Sequence, residues 1–141
     1  MALNAAFVGR TFPPAGPYHV GIEKIREFAA ALGYTSTDWL DGADPIAPPT
    51  FPIVATMPAT RRALADPELG LDYRRVVHGA QRFVSSRPVR ASDVLMVAVT
   101  IETIRPAGRH HIITTRSEVT TVEGEHVCTA YSTLVERGDV P

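Results

Sequence analysis

Proton transfer near neutral pH needs groups that hold and release a proton there. In this chain of 141 residues the candidates are few: five histidines, the acids Asp38 and Asp41, and a single cysteine, Cys128. His78, in Val76-Val77-His78-Gly79, opens a strand-like segment. It reads either as a structural histidine bonded to backbone or to a second subunit, or as a group that contacts substrate or moves a proton. His110 and His111 follow a glycine turn and read as solvated; neighbours in a strand point to opposite faces, which makes shared metal coordination awkward. His126, beside Glu125, reads as exposed, and His19 lies in a presumed first strand. Asp38 and Asp41 read as solvated loop carboxylates or turn caps, or, more sharply, as a substitute base. Cys128 sits in an apolar alternating stretch that suits a buried, inert thiol. There is no Gly-x-Ser-x-Gly, Walker A pattern, Cys/His metal spacing or Gly-x-Gly-x-x-Gly after a strand. No metal or cofactor is expected.

The elements that must position these groups fall into two halves. Tyr18-His19-Val20 reads as a short strand after a Pro/Gly segment. Ile22, Ile25, Phe28, Ala29 and Leu32 then recur at helical spacing between charged residues, and Gly33 suits the residue just past the helix end. Residues 34–49 are punctuated by Asp41-Gly42, Asp44-Pro45 and Pro48-Pro49 and read as loop. A second helix is expected from Thr50, its N-cap candidate, with Pro52 in the first turn. It is apolar nearly all round and therefore expected to be buried, with a kink or break at Pro58. From about residue 75, Val, Ile and Thr alternate in four strands, about 75–86, 93–105, 109–123 and 125–136. Short turns at Pro106-Ala107-Gly108 and Glu123-Gly124-Glu125 make adjacent strands antiparallel.

Composition narrows the class. Hydrophobic residues at 45% and charged residues at 21% suit one ordinary folded domain over 1–141. The formal charge of −1 is scattered, with no basic run to track a phosphate backbone, so nucleic acid is not an expected partner. The N-terminus has neither a basic n-region nor a long apolar stretch, which argues against a signal peptide or membrane span and makes the cytoplasm the default. One cysteine allows no intrachain disulfide. A buried helix followed by antiparallel strands is an α+β plan, specifically that of a hot-dog fold, in which a sheet curls round a long helix. A generic α+β sandwich remains open on the pattern alone.

Several segments, in order, resemble the MaoC-like dehydratases, in particular the N-terminal, fatty-acid-synthase-I-like hot-dog domains. They are Val8-Gly9; Tyr18 to Ala29; Ala47-Pro48-Pro49-Thr50-Phe51; Val77-His78-Gly79-Ala80-Gln81-Arg82-Phe83; and Arg87-Pro88-Val89 followed by Asp93, where the family usually has Arg-Pro-x-x-x-Gly-Asp. The likeness is greatest to acyl-binding subunits of mycolic-acid type (3R)-hydroxyacyl-ACP dehydratases. The resemblance implies an acyl thioester, on ACP or CoA, as ligand. It also implies a partner: a catalytic MaoC-like hot-dog subunit in a heterodimer, or a second copy in a homodimer. Residues 47–51 would border the acyl tunnel. Its implied substrate-binding residues are Phe28, Pro48, Thr50, Phe51, Val54, Met57, His78, Gly79, Gln81 and Met96; for the apolar ones, plain core packing is the competing reading.

Catalytic members of the family carry Phe-Ala-x-x-Ser-Gly-Asp-x-Asn-Pro-x-His after the first helix, the Asp and His exchanging protons with substrate. Aligning Phe28-Ala29 and Gly33 puts Tyr34 at the Asp and Trp39 at the His. A phenol of ordinary pKa and an indole cannot do that work near pH 7. The resulting expectation is an acyl-binding subunit without the usual dyad. The alternatives are a self-sufficient hot-dog enzyme (hydratase, thioesterase or conjugate addition) using His78, Asp38 or Asp41, and a non-enzymatic acyl-binding or scaffold module.

Overall fold

A computed structural model describes residues 3–34, 41–42 and 44–139. Strand β1 (Ala15–His19) leads into helix α1 (Ile22–Ala31), and α2 (Ile53–Leu64) follows the loop. Then come β2 (Val76–Ser85), β3 (Val94–Ala107), β4 (His110–Thr121) and β5 (His126–Glu136). The strands form one antiparallel sheet in the order β1-β3-β4-β5-β2. The expected hairpins β3–β4 and β4–β5 are present. β2 is not the neighbour of β3, as a simple meander would have it; it crosses to the far edge and pairs with β5. Alternation fixes which face a side chain takes, but not which strand lies alongside.

The sheet has an inner face against α2. On β3, Leu95, Val97, Val99 and Ile101 are buried, and on β4 Ile113, Thr115, Ser117 and Val119, each alternating with half-exposed residues on the outer face. Helix α2 lies on β3 and β4, with Ala55, Ala59 and Ala63 packed into the cluster of Leu95, Val97 and Val99. Small alanines let the helix approach closely, and the burial helps to carry it through Pro58. The helix runs unbroken from Ile53 to Leu64, although Pro58 has no N–H to give to Val54. Two expectations for α2 need correction. Pro52, not Thr50, is its cap, with no side-chain cap bond, while the Thr50 carbonyl accepts the Ile53 N–H at 3.2 Å. And α2 is not buried all round, since Pro58, Arg61 and Arg62 are exposed.

Helix α1 ends as read, with Gly33 in the left-handed region at φ +83°. No described helix is long and apolar enough to cross a membrane.

Candidate functional site

The segment leading into α2 borders a cavity of about 400 Å³, closed on its other side by residues 85–89 at the end of β2. The Ala47 N–H bonds the Val89 carbonyl at 2.7 Å, which pins this segment against the chain leaving β2. Ala47 and Pro48 are buried, and Thr50 is exposed on the turn. Phe51 is fully buried and meets Phe28 edge-on, with ring centroids 5.5 Å apart. Val54 is half-buried beside a narrower groove between α2 and β1, and Met57 is half-buried on α2. Met96 is not brought to them. It alternates with the buried Leu95 and Val97 and so lies on the outer face. Of the residues in the loop, Asp38 and Trp39 lie outside the described residues, and Tyr34 and Asp41 are exposed.

His78 stands on the edge strand β2, exposed, with Nε2 3.0 Å from the Ala80 carbonyl. The ladder shifts by one residue between His78 and Ala80, which leaves Gly79 as the extra residue of a bulge. A Cβ at Gly79 would stand 3.3 Å from the Thr133 carbonyl, so glycine suits the closeness of β5 there. Two residues on, Gln81 turns to the inner face. Its Oε1 accepts the Ser132 hydroxyl at 2.7 Å, while its buried Nε2 has no hydrogen-bond partner among the described residues.

Gln81 is one end of a polar band. Thr115, Ser132 and Gln81 lie side by side across β4, β5 and β2 on the inner face, with Ser117 two residues along β4. From α2, Thr56 and Thr60, four residues apart and so on one side of the helix, are buried against the core. Among the described residues, the hydroxyls of Thr56, Thr60, Thr115 and Ser117 have no partner, like the Gln81 amide nitrogen. Each such group costs roughly 1–3 kcal/mol of desolvation. Five such groups are a heavy burden for a domain whose net stability is of order 5–15 kcal/mol. Sequence reading placed Gln81 among the candidates and missed the rest, whose only signal is Ser and Thr recurring every second residue on β4 and every fourth on α2.

His19 is exposed, and the other three histidines are held by partners. His111 Nδ1 lies 3.2 Å from Glu136 Oε1, and His110 Nδ1 accepts the Gly138 N–H at 3.0 Å. His126 bonds the Ser86 hydroxyl through Nδ1. Its Nε2 lies 2.8 Å from Thr129 Oγ1 and 3.2 Å from Glu118 Oε2. Read as exposed, His110, His111 and His126 are all half-buried. Glu118 alternates with the buried Ser117 and Val119 and therefore lies on the outer face. Cys128 is fully buried, and burial pushes its thiol above the ordinary value.

Electrostatics fixes the approach to the cavity. Arg87 clasps Asp93 with two hydrogen bonds of 2.9 and 3.1 Å and also reaches Glu125. The Asp93 and Arg87 side chains are only 15% and 17% exposed. Burial works to raise the Asp93 carboxyl, but the Arg87 guanidinium and the Arg90 N–H outweigh it and hold the group below its usual value. Between them Ser92 takes φ +75°, the only described non-glycine residue in the left-handed region. It occupies the position where the resemblance has glycine.

Residues 6–130 match the family described as FAS1-like, dehydratase domain region. A UPF0336 protein of Streptomyces avermitilis is 50% identical, with 97% of each chain covered. Another, from Saccharopolyspora erythraea, is 47% identical, covering 98% of this chain and 94% of its own. Among solved structures, a chain of the C-terminally truncated HadBC (3R-hydroxyacyl-ACP dehydratase) complex of Mycobacterium tuberculosis superposes with a TM-score of 0.78 at 28% identity, covering 92% of this chain and 96% of that one. A MaoC-like dehydratase superposes with a TM-score of 0.81 at 29% identity, covering 94% of this chain and 43% of that one.

Proposed function

Because the chain belongs to the FAS1-like dehydratase domain region family, we propose that it is the acyl-binding subunit of a (3R)-hydroxyacyl-thioester dehydratase, working beside a catalytic hot-dog partner. Loss of water across Cα and C3 needs a base at Cα, an acid at the departing hydroxyl and N–H donors at the thioester oxygen. The observation that carries the reading is Tyr34 and Trp39 standing where the resemblance requires Asp and His. We read His78 as structural: it is not among the residues that border the cavity, and its Nε2 is held by the Ala80 carbonyl on the same bulge.

What this chain offers is binding. Its cavity of about 400 Å³ is bounded by Pro48, Pro49 and Pro52 at the start of α2. Further along β2, and not bordering that cavity, the buried Gln81 amide nitrogen has no partner among the described residues. β2 lies at the sheet edge with Val77 and Val84 exposed, a surface that a second hot-dog subunit would cover by continuing the sheet. The test is to assay the purified chain alone on a 3-hydroxyacyl thioester. No turnover is expected, and robust turnover without a partner rejects the reading.

A second reading, a self-sufficient thioester hydrolase, is favoured by one arrangement. Ser86 borders the cavity and bonds His126, which in turn lies 3.2 Å from Glu118. Thiol release from an acyl thioester by the lone chain, abolished in Ser86→Ala, would establish it in place of the first.

A further inference from the structure

Beyond the acyl-binding reading, and independently of it, we infer that the far end of the sheet carries a binding site for a phosphate dianion, free or as the phosphomonoester of a small molecule. The sequence has no long basic run, yet the fold gathers cations from three separate segments. Arg75 ends the turn before β2, Arg109 lies in the β3–β4 turn, and Arg137 follows β5. All three line one cavity of about 340 Å³, together with His110, Gly138 and Asp139. A concave space of this size suits a small ligand better than the broad surface of a protein. Guanidinium forks present paired N–H donors that match phosphate oxygens.

Backbone contacts hold the cluster together without using its charges. The Arg137 N–H bonds the Arg75 carbonyl at 2.9 Å, which sets these two residues side by side just past the last rung between β2 and β5. The Gly138 N–H donates to His110 Nδ1 at 3.0 Å, so a neutral imidazole there carries its proton on Nε2, a further donor. A Cβ at Gly138 would collide with the Arg109 carbonyl, so glycine is what lets the segment after β5 lie so close to the β3–β4 turn.

The charges do not balance within the chain. Against three guanidiniums, the one acid lining the cavity is Asp139. It pairs with Arg75 at 2.9 Å while 93% exposed, a contact that solvent screens. Glu136 does not border the cavity, and its oxygens hold His111 and the Asp72 N–H. Among the described residues, no carboxylate pairs with Arg109 or Arg137. A dianion offsets the excess. The start and end of β2 stand roughly 30 Å apart by the rise of a strand, so this site is separate from the cavity beside Ser86.

The experiment follows thermal unfolding of the full chain at constant ionic strength and mildly alkaline pH, where phosphate is chiefly the dianion. Chloride is replaced in turn by inorganic phosphate, adenosine 5′-monophosphate or a poly-glutamate peptide, with adenosine as a blank. At about 10 mM, phosphate is expected to raise the midpoint by about 4 °C over chloride. A rise with the nucleotide and none with adenosine assigns a phosphomonoester, and a rise with phosphate alone assigns the free ion. Arg109 and Arg137 are exposed, so an Arg109→Gln, Arg137→Gln double variant should fold and cut the rise to below about 1 °C. Arg26→Gln, which removes a charge on α1, should keep it. If the double variant does not fold, Arg109→Gln alone must at least halve the rise. No rise with either phosphate compound overturns the inference. So does a rise that the double variant retains or that Arg26→Gln also abolishes, since that is a general effect of the salt. A response to the peptide and not to phosphate overturns it as well, and marks a docking face for an acidic protein. None of these outcomes bears on acyl binding.

Discussion

Across the β2–β5 pair, Gln81 Oε1 accepts the Ser132 hydroxyl at 2.7 Å, and the buried amide nitrogen of the same side chain has no acceptor among the described residues. The first bond orients the carboxamide, so its nitrogen stays aimed without help from a ligand. That is the economy of a pre-set binding group. Gln81→Ala is therefore expected to lower kcat/KM of the assembled dehydratase about tenfold or more, and to cost about 1 kcal/mol of stability because the buried Ser132 hydroxyl loses its acceptor. Steady-state kinetics on the complex, with a melting curve beside it, checks this. An unaltered kcat/KM would make Gln81 a structural residue only.

The band also predicts a stability effect of unusual sign. Thr115→Val exchanges a buried, unpartnered hydroxyl for a methyl group of similar size. The chain should gain about 1 kcal/mol, raising the melting midpoint by roughly 4 °C. A drop of that size would mean that the hydroxyl is already satisfied in solution.

Ser92 supplies a second stabilising change. Its φ of +75° suits glycine, and Ser92→Gly should relieve about 1 kcal/mol of backbone strain, less the extra freedom glycine brings to the unfolded chain. Urea unfolding at fixed m-value measures the difference. A loss of stability would show that the serine side chain outweighs the strain.

The Arg87–Asp93 pair sets an acid limit. The folded-state value of the Asp93 carboxyl lies below its ordinary one, so the pair's contribution is fully present above the unfolded value near 3.9. It is lost as pH falls through the lower folded value. At pH 7, Asp93→Asn leaves a nearly buried guanidinium underpaired and should cost about 2–3 kcal/mol. Melting curves from pH 3 to 7 should show native and variant converging at the acid end. A gap that stays constant over that range would place the contribution elsewhere.

The fold was largely legible. Gly33 marked the end of α1, and the two short turns fixed the β3–β4 and β4–β5 hairpins, because turn chemistry and face alternation are local properties. The crossing of β2 to the far edge was not, since the partner of a strand is chosen by the whole sheet. Met96, a candidate alongside Val54 and Met57, falls on the other face by the alternation of β3, which is itself a local signal. Phe28 and Phe51, both candidates for lining an acyl site, meet edge-on and do not border the cavity. The polar row escapes sequence reading because Thr115, Ser132 and Gln81 come from three strands, and only the pairing of the sheet sets them side by side. His126 was read as exposed for lack of any view of Ser86 and Glu118, which lie 40 and 8 residues away in the chain.

The claim on which the account turns is a division of labour, with binding here and proton transfer in another subunit. It is tested by measuring dehydration of one 3-hydroxyacyl thioester by three samples: this chain, a MaoC-like subunit with intact Asp and His, and their equimolar mixture. The account predicts a silent first sample and a mixture far faster than the second, saturating at one to one. Turnover by this chain alone at the rate of the mixture, or a mixture no faster than the catalytic subunit by itself, would contradict it.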